Sequence, residues 1–211
     1  MKIEAVIFDL DGVIVSTDEC HYRAWKKTAD EEGIYFDRKI NDRLRGVSRM
    51  DSLEIVLERA ERLYTDEEKV ELAERKNNYY KEYIKKLTKD DILSGVNENL
   101  AELKANGIKV AIGSSSKNTP NILKYIGLDN YFDVVSDGNN ITKSKPDPEV
   151  FLKAADMLGV PYEKCLVVED ADSGIEAGKR AGMYTLAVNN AKGADYSLAD
   201  LSAGKITDYI N

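Results

Sequence analysis

Two aspartates separated by a single residue, Asp9 and Asp11 in Phe8-Asp9-Leu10-Asp11-Gly12-Val13, close a short apolar run near the start of this 211-residue chain. A second acidic pair, Glu169-Asp170, closes another apolar run, and between the two lie Ser114-Ser115-Ser116 and a lone Lys145 beside Pro146. Four carboxylates drawn into one semi-buried cleft repel one another, so the pattern calls for a neutralising cation. Hard oxygen ligands with no His or Cys among them point to Mg²⁺. Set against one Mg²⁺ and Lys145, the four carboxylates keep one net negative charge, and a proton on Asp11 removes it. A protonated carboxyl is the state a general acid requires. A carboxylate can also attack phosphorus, splitting one transfer into two steps while the metal and Lys145 stabilise the charge on the equatorial oxygens. Asp9, rigidly held at a strand end, suits that nucleophile, and Asp11 in the exit loop suits the proton shuttle. The Ser114 hydroxyl and the backbone N–H groups after it, at the mouth of a helix starting near Asn118, are natural phosphate donors. A turn or a helix cap would explain one isolated acidic pair equally well. The joint pattern disfavours that explanation.

These residues need a scaffold that brings distant segments to one edge. Short β-branched runs at residues 3–8, 108–112, 133–136, 165–168 and 184–188 lack the alternation of a half-exposed strand and read as buried parallel strands. Helical patterns at 97–106, 118–126, 148–158 and 172–181 lie between them, several closed by Gly107, Gly127, Gly159 or Gly182. Strands alternating with helices predict an α/β fold, a doubly wound parallel sheet. In such a sheet, ligands sit beyond the carboxyl ends of the strands. The candidate residues follow the first, second, third and fourth runs and so converge there.

Residues 16–87 break this rhythm, with no strand run and with long charged, amphipathic stretches at 51–62 and 66–86. The chain is therefore expected to hold an α/β core domain, 1–15 and 88–211, and an inserted all-helical cap domain, 16–87. The cap hinges on its two linkers in this reading. Most of the charge at 65–74 is a solvated helix face, and Tyr79, Tyr80 and Tyr83 pack cap helices together.

With 43% hydrophobic residues the chain can bury a sizeable core. Its net charge of −8 argues against non-specific binding to nucleic acid or to an anionic membrane, so any phosphate-binding residues are few and placed. No stretch approaches the roughly 20 apolar residues of a membrane span, and the start runs straight into a strand-like segment without an apolar leader. Cys20 and Cys165 are expected as reduced thiols, and neither is a site candidate. These readings predict a cytoplasmic monomer with small-molecule partners.

The motifs at 8–13, 113–116, 145–146 and 168–170 resemble, in order, the four motifs of the haloacid dehalogenase superfamily, and together they span the predicted core. That resemblance implies that Asp9 and Asp170 ligate Mg²⁺ through side chains, that Asp11 does so through its carbonyl, and that Glu169 contributes. Asp11 is the second acid found in the phosphotransferases of the superfamily and absent from its dehalogenases. Ser114, Ser115 and Lys145 would hold the reacting phosphate. Within the cap, Thr17-Asp18-Glu19-Cys20-His21-Tyr22-Arg23-Ala24-Trp25 resembles the hinge segment of the β-phosphoglucomutase family, with Thr17 at the hinge. The segment from Arg43 to Leu53 is similar to that family's specificity loop, and Glu74-Arg75-Lys76-Asn77-Asn78-Tyr79 to the segment bearing its cap lysine.

Carried over by residue, the resemblance makes Arg49 the holder of a distal phosphate, beside Ser116, Lys117 and Asn118, and a planar guanidinium suits that bidentate task. Arg45, Gly46, Val47, Ser48 and Ser52 belong to the same substrate set. His21 and Lys76 would link substrate arrival to the position of Asp11. Trp25, one helical turn from His21, either packs within the cap or contacts the sugar. Arg45 stands where the family commonly carries Lys, which keeps the charge but changes the donor geometry. The implied activity is interconversion of β-D-glucose 1-phosphate and glucose 6-phosphate through β-glucose 1,6-bisphosphate, with cap closure excluding water. The rival is a sugar-phosphate or phosphoglycolate phosphatase on the same core. A silent scaffold would have lost one of the carboxylates, and none is lost. A P-loop protein is disfavoured because no Gly-x-x-x-x-Gly-Lys-Ser/Thr pattern occurs.

Overall fold

The computed structural model describes residues 3–44 and 47–210. Six strands, β1 (Ala5–Phe8), β2 (Lys109–Gly113), β3 (Val134–Ser136), β4 (Cys165–Glu169), β5 (Tyr184–Ala187) and β6 (Tyr196–Ser197), form one sheet in the order β3-β2-β1-β4-β5-β6. Among the described residues, every pairing between these strands is parallel. The doubly wound reading therefore holds. β1 lies between β2 and β4 in matched register, Phe8 opposite both Ile112 and Val168. The chain runs outward from β1 through β2 and β3, then returns to β4 on the other side of β1. That reversal makes β1 and β4 the switch point of the sheet, beyond whose carboxyl ends ligands bind in folds of this kind.

The continuous apolar runs are explained by burial on both faces. All four residues of β1 are fully buried. Ala5 and Ile7 join Ala111, Val167, Phe151 and Ala177 in one core cluster, under helices α7 (Glu149–Leu158) and α8 (Asp172–Arg180). Val6 and Phe8 face the opposite way by the two-residue strand period. On β2 packs α5 (Val96–Ala105), whose Leu100 and Leu103 are fully buried. Helix α6 (Thr119–Tyr125) connects β2 to β3.

Several bounds differ from the sequence reading. β3 starts at Val134, because the Asp133 carboxylate takes the Val110 N–H, at 2.8 Å. β6 has two residues and no apolar run, so no periodicity announced it.

Residues Thr17–Leu87 form a compact unit of their own, and Met1–Ser16 with Thr88–Asn211 form the other. Among the described residues of the first, the regular elements are all helices: α1 (Asp18–Glu31), α2 (Arg38–Asp42), α3 (Arg49–Leu57) and α4 (Asp66–Ile84). α3 begins two residues before the expected start, because Ser48 caps it by accepting the Asp51 N–H, and it ends five before the expected end, at Leu57. Thr65 and Glu68 form a reciprocal capping box at the start of α4, which holds two otherwise unsatisfied donors. Trp25, Ala29, Phe36, Leu53, Val56 and Leu72 make this unit's core, with α1 and α3 packed on α4. Among the described residues, no helix is long and apolar enough to cross a membrane.

Candidate active site

Asp9 follows β1 directly and is pinned there by its backbone N–H, which donates to the Val168 carbonyl at 2.9 Å. Its side chain is nearly buried. Lys145 Nζ donates to Asp9 Oδ1 and to Glu169 Oε1, each at 2.5 Å, so one ammonium joins the ends of the two central strands. Burial alone would depress the Lys145 pKa, but the charges of Asp9 and Glu169 more than reverse this and raise it. The lysine stays cationic. The Lys145–Pro146 peptide bond is cis.

Glu169 ends β4 and is 1% exposed. Its Oε2 accepts the backbone N–H groups of Asp170 and Ala171, at 2.9 and 3.0 Å. The cradle around it requires Gly174, where a Cβ would lie 1.9 Å from Glu169 Oε1. Burial raises the Glu169 pKa, opposed by Lys145 and reinforced by Asp9. Asp170 is pushed up to about 8, first by burial and then by the charges of Asp9, Glu169 and Asp11.

Asp9, Glu169 and Asp170 each offer a carboxylate oxygen, all within 4.8 Å of one another. One lysine does not balance three carboxylates at this separation, and the uncompensated charge adds to burial in raising the Asp170 pKa. A divalent cation with a preference for oxygen fits this donor set. The Asp11 side chain is outside the converging three. Asp11 lies in the turn after Asp9, bridged to Val15, with its charge felt at Asp170.

The serine loop follows β2, beside β1. Ser114 is buried, its N–H donating to the Ser136 carbonyl at 3.1 Å and its Oγ accepting from the Ser116 N–H at 3.2 Å. Ser116 Oγ accepts in turn from the Asn118 N–H at 3.1 Å. Asn118 is buried and Lys117 exposed. Ser115 Oγ is buried with no hydrogen-bond partner among the described residues. A hydroxyl left unpaired in this way is available to an incoming acceptor.

Within the helical unit, Lys76 Nζ donates to His21 Nδ1 at 2.8 Å. An ammonium has no lone pair to accept with, so Nδ1 is the acceptor and the imidazole is neutral. Burial, then Lys76, then Arg49 hold the His21 pKa well below its usual value. Lys76 is itself buried, with its Nζ 4.8 Å from the Trp25 ring centroid and 4.9 Å from that of Tyr80. Trp25 belongs to the unit's core, so packing is one of its roles. Tyr80 stacks at 4.2 Å on His21 and donates from its hydroxyl to Thr17 Oγ1 at 3.1 Å. Arg49, at the first turn of α3, has its pKa lowered by burial. Thr17, His21, Trp25 and Lys76 are thus brought together, and the charge of Arg49 reaches His21. Ser52 is buried in α3, Ser48 caps that helix, and Val47 is exposed. Arg45 and Gly46 lie outside the described residues.

The haloacid dehalogenase-like hydrolase model, a hydrolase family, matches residues 3–182. The chain belongs to that family. A β-phosphoglucomutase of Bacillus subtilis is 46% identical over 198 residues, 92% of this chain and 88% of that protein. A phosphorylated-carbohydrates phosphatase of Thermotoga maritima is 34% identical, over 86% of this chain and 82% of its own length. The crystal structure of a β-phosphoglucomutase from Clostridium difficile superposes with a TM-score of 0.90 at 41% identity, covering 98% of this chain and 95% of that one.

For a haloacid dehalogenase-like protein, two polar features here escaped the sequence reading. The helical spacing of Tyr80 signals packing alone, although its hydroxyl reaches Thr17. At the sheet edge, the fifth apolar run also ends in polar residues, Asn189 and Asn190, and Asn189 Nδ2 donates to the Gly12 carbonyl at 2.8 Å. The signal was the same one that found Glu169-Asp170: polar residues directly after a buried strand.

Proposed function

We propose that this protein is a phosphomutase that interconverts β-D-glucose 1-phosphate and glucose 6-phosphate through β-glucose 1,6-bisphosphate, with Asp9 as the phosphoryl carrier. The observation that carries the reading is the Lys145 ammonium at 2.5 Å from both Asp9 and Glu169, with Asp170 alongside, at the carboxyl ends of β1 and β4. Asp9, Glu169 and Asp170 would hold Mg²⁺, with the Asp11 carbonyl as a further oxygen. Bound there, the ion would offset the carboxylate charge and stabilise the charge on the transferring phosphoryl oxygens.

The residues divide the work as follows. Asp9 attacks phosphorus of the bisphosphate, the P–O bond to the sugar breaks, and Asp11 gives its proton to the departing sugar oxygen. In the return step the free 6-hydroxyl of an incoming β-glucose 1-phosphate attacks phospho-Asp9, the Asp9–phosphorus bond breaks, and Asp11 takes that hydroxyl's proton. The regenerated bisphosphate reorients before Asp9 attacks its other phosphate. Lys145 stays charged throughout and needs no reorganisation as negative charge builds on the phosphoryl oxygens. Ser114, Ser115 and the loop N–H groups receive that phosphate. Arg49, with Ser116, Lys117 and Asn118, takes the second phosphate, and His21 with Lys76 reports its arrival.

Transfer to a sugar instead of to water is supported by the cationic set in the helical unit and by the similarity to the two β-phosphoglucomutases. The Thermotoga relative favours a second reading, a sugar-phosphate phosphatase on the same core. Supplying β-glucose 1-phosphate with a trace of the bisphosphate separates them. Glucose 6-phosphate as the main product supports the mutase, and inorganic phosphate without glucose 6-phosphate overturns it. Running the α-anomer in parallel tests the anomer assignment.

The raised Asp170 pKa gives the metal a pH signature. In metal-free protein the folded state holds this proton up to about pH 8, whereas an unfolded Asp releases it near pH 3.9. Between these values the folded state binds the extra proton, so stability falls as pH rises, by at most about 1.4 kcal/mol per pH unit. Mg²⁺ replaces the proton. Thermal melts with Mg²⁺ and with a chelator are expected to show a larger Mg²⁺ stabilisation at pH 8 than at pH 6, and an equal stabilisation at both contradicts the assignment.

A further inference from the structure

The turn that carries Asp11 is tied down from two directions. On one side it closes on itself: Gly12 N–H donates to the Val15 carbonyl at 2.8 Å, and the N–H groups of Ile14 and Val15 both donate to the Leu10 carbonyl, at 3.0 and 3.1 Å. Gly12 adopts φ of +85°, and a Cβ there would lie 2.0 Å from Asp170 Oδ2, so no larger residue fits. On the other side, the Gly12 carbonyl is held by Asn189 Nδ2 at 2.8 Å, from a residue 177 positions away in sequence.

Asn189 is well placed to be a fixed donor. The Val188 N–H donates to the Glu169 carbonyl at 2.8 Å, and the Asn189 N–H to the Ala199 carbonyl at 3.0 Å. Its backbone is therefore registered to the end of β4, the strand that carries Glu169. Asn189 and Asn190 have φ of 53° and 70°, the left-handed region that Asn tolerates better than most residues. The side chain is exposed, so changing it leaves no cavity in the core.

The peptide that supplies the Gly12 N–H is also the one that follows Asp11, so the orientation of Gly12 sets the direction in which the Asp11 side chain leaves the turn. Val15 holds the N–H side of Gly12 and Asn189 holds the carbonyl side. We propose that Asn189 is a positioning residue for Asp11: its amide locks the Gly12 carbonyl and so keeps the Asp11 carboxyl aligned for proton transfer with the sugar oxygen. This rests on the acid–base reading of Asp11.

The test compares two phosphoryl donors at saturating Mg²⁺. β-Glucose 1,6-bisphosphate needs a proton on its leaving oxygen. Acetyl phosphate does not, because acetate leaves as a stable anion. Asn189→Gly keeps the left-handed backbone and deletes the amide, while Asn189→Asp keeps the shape but replaces the donor with a carboxylate that repels the Gly12 carbonyl. For both variants, quench-flow is expected to show phospho-Asp9 forming about tenfold more slowly from the bisphosphate, the rate equivalent of one lost hydrogen bond. The half-saturating bisphosphate concentration is expected to be unchanged, and the rate from acetyl phosphate to stay within about twofold. Equal slowing with both donors, or slowing with neither, overturns the proposal. Asp11→Asn is the reference: if it slows both donors equally, the acid–base reading of Asp11 falls and the proposal with it. If Asp11→Asn is selective and the Asn189 variants are not, only the role of Asn189 is refuted.

Discussion

Asp9→Asn is expected to lower kcat by at least about 10⁴-fold and to abolish the phosphoenzyme, because an amide oxygen is too weak a nucleophile to carry the phosphoryl group. The fold is expected to survive. Asn has the same shape, its carbonyl can still accept from Lys145, and Lys145 keeps its second partner at 2.5 Å in Glu169. The variant also removes one of the charges that raise Asp170, so the Asp170 pKa is expected to fall from about 8. Acid-quenched protein after incubation with labelled bisphosphate checks the main outcome. Label retained on Asp9→Asn would place the carrier elsewhere.

Lys145→Met is expected to have the next largest effect, on both chemistry and stability. Methionine keeps the unbranched stem but leaves Asp9 and Glu169 as buried carboxylates without their shared cation. Breaking a buried ion pair by removing one partner costs about 3–5 kcal/mol, and loss of a fixed charge from the transition state costs about 10²–10³ in kcat. Chemical denaturation of the metal-free protein is expected to show the first, and steady-state kinetics at saturating Mg²⁺ the second. A stability loss without a kcat loss would make Lys145 a structural counter-ion only.

How far the sequence reached depended on where each residue's role is encoded. Strands buried on both faces read as unbroken apolar runs, so β1, β2, β4 and β5 were visible, and Asp9, Glu169 and Lys145 followed from their positions after such runs. β6 was hidden because two residues, Tyr196 and Ser197, carry no period. The start of α3 was misplaced because Ser48 was read as part of a substrate loop, and its capping bond to Asp51 needs backbone geometry to be seen. The Lys145 contact to both carboxylates, 136 and 24 residues away, was inferred only as convergence on one edge. In the helical unit, Lys76 looks like one more charge on a solvated helix. Only folding shows it buried, bonded to His21 and set 4.8 and 4.9 Å from the Trp25 and Tyr80 ring centroids. Asn189 closes the fifth run, whose apolar residues signal only a strand, and its bond to Gly12 joins positions 177 residues apart that no local pattern connects.

Phospho-Asp9 is expected to give its phosphoryl group to a sugar hydroxyl in preference to water. The most direct measurement loads the protein with ³²P on Asp9, removes free label, and chases with unlabelled β-glucose 1-phosphate in Mg²⁺ while following where the label goes. Label appearing first in β-glucose 1,6-bisphosphate and then in glucose 6-phosphate, with loss to water far slower, is the predicted result. Label released as inorganic phosphate at the same rate with and without the sugar phosphate would contradict it.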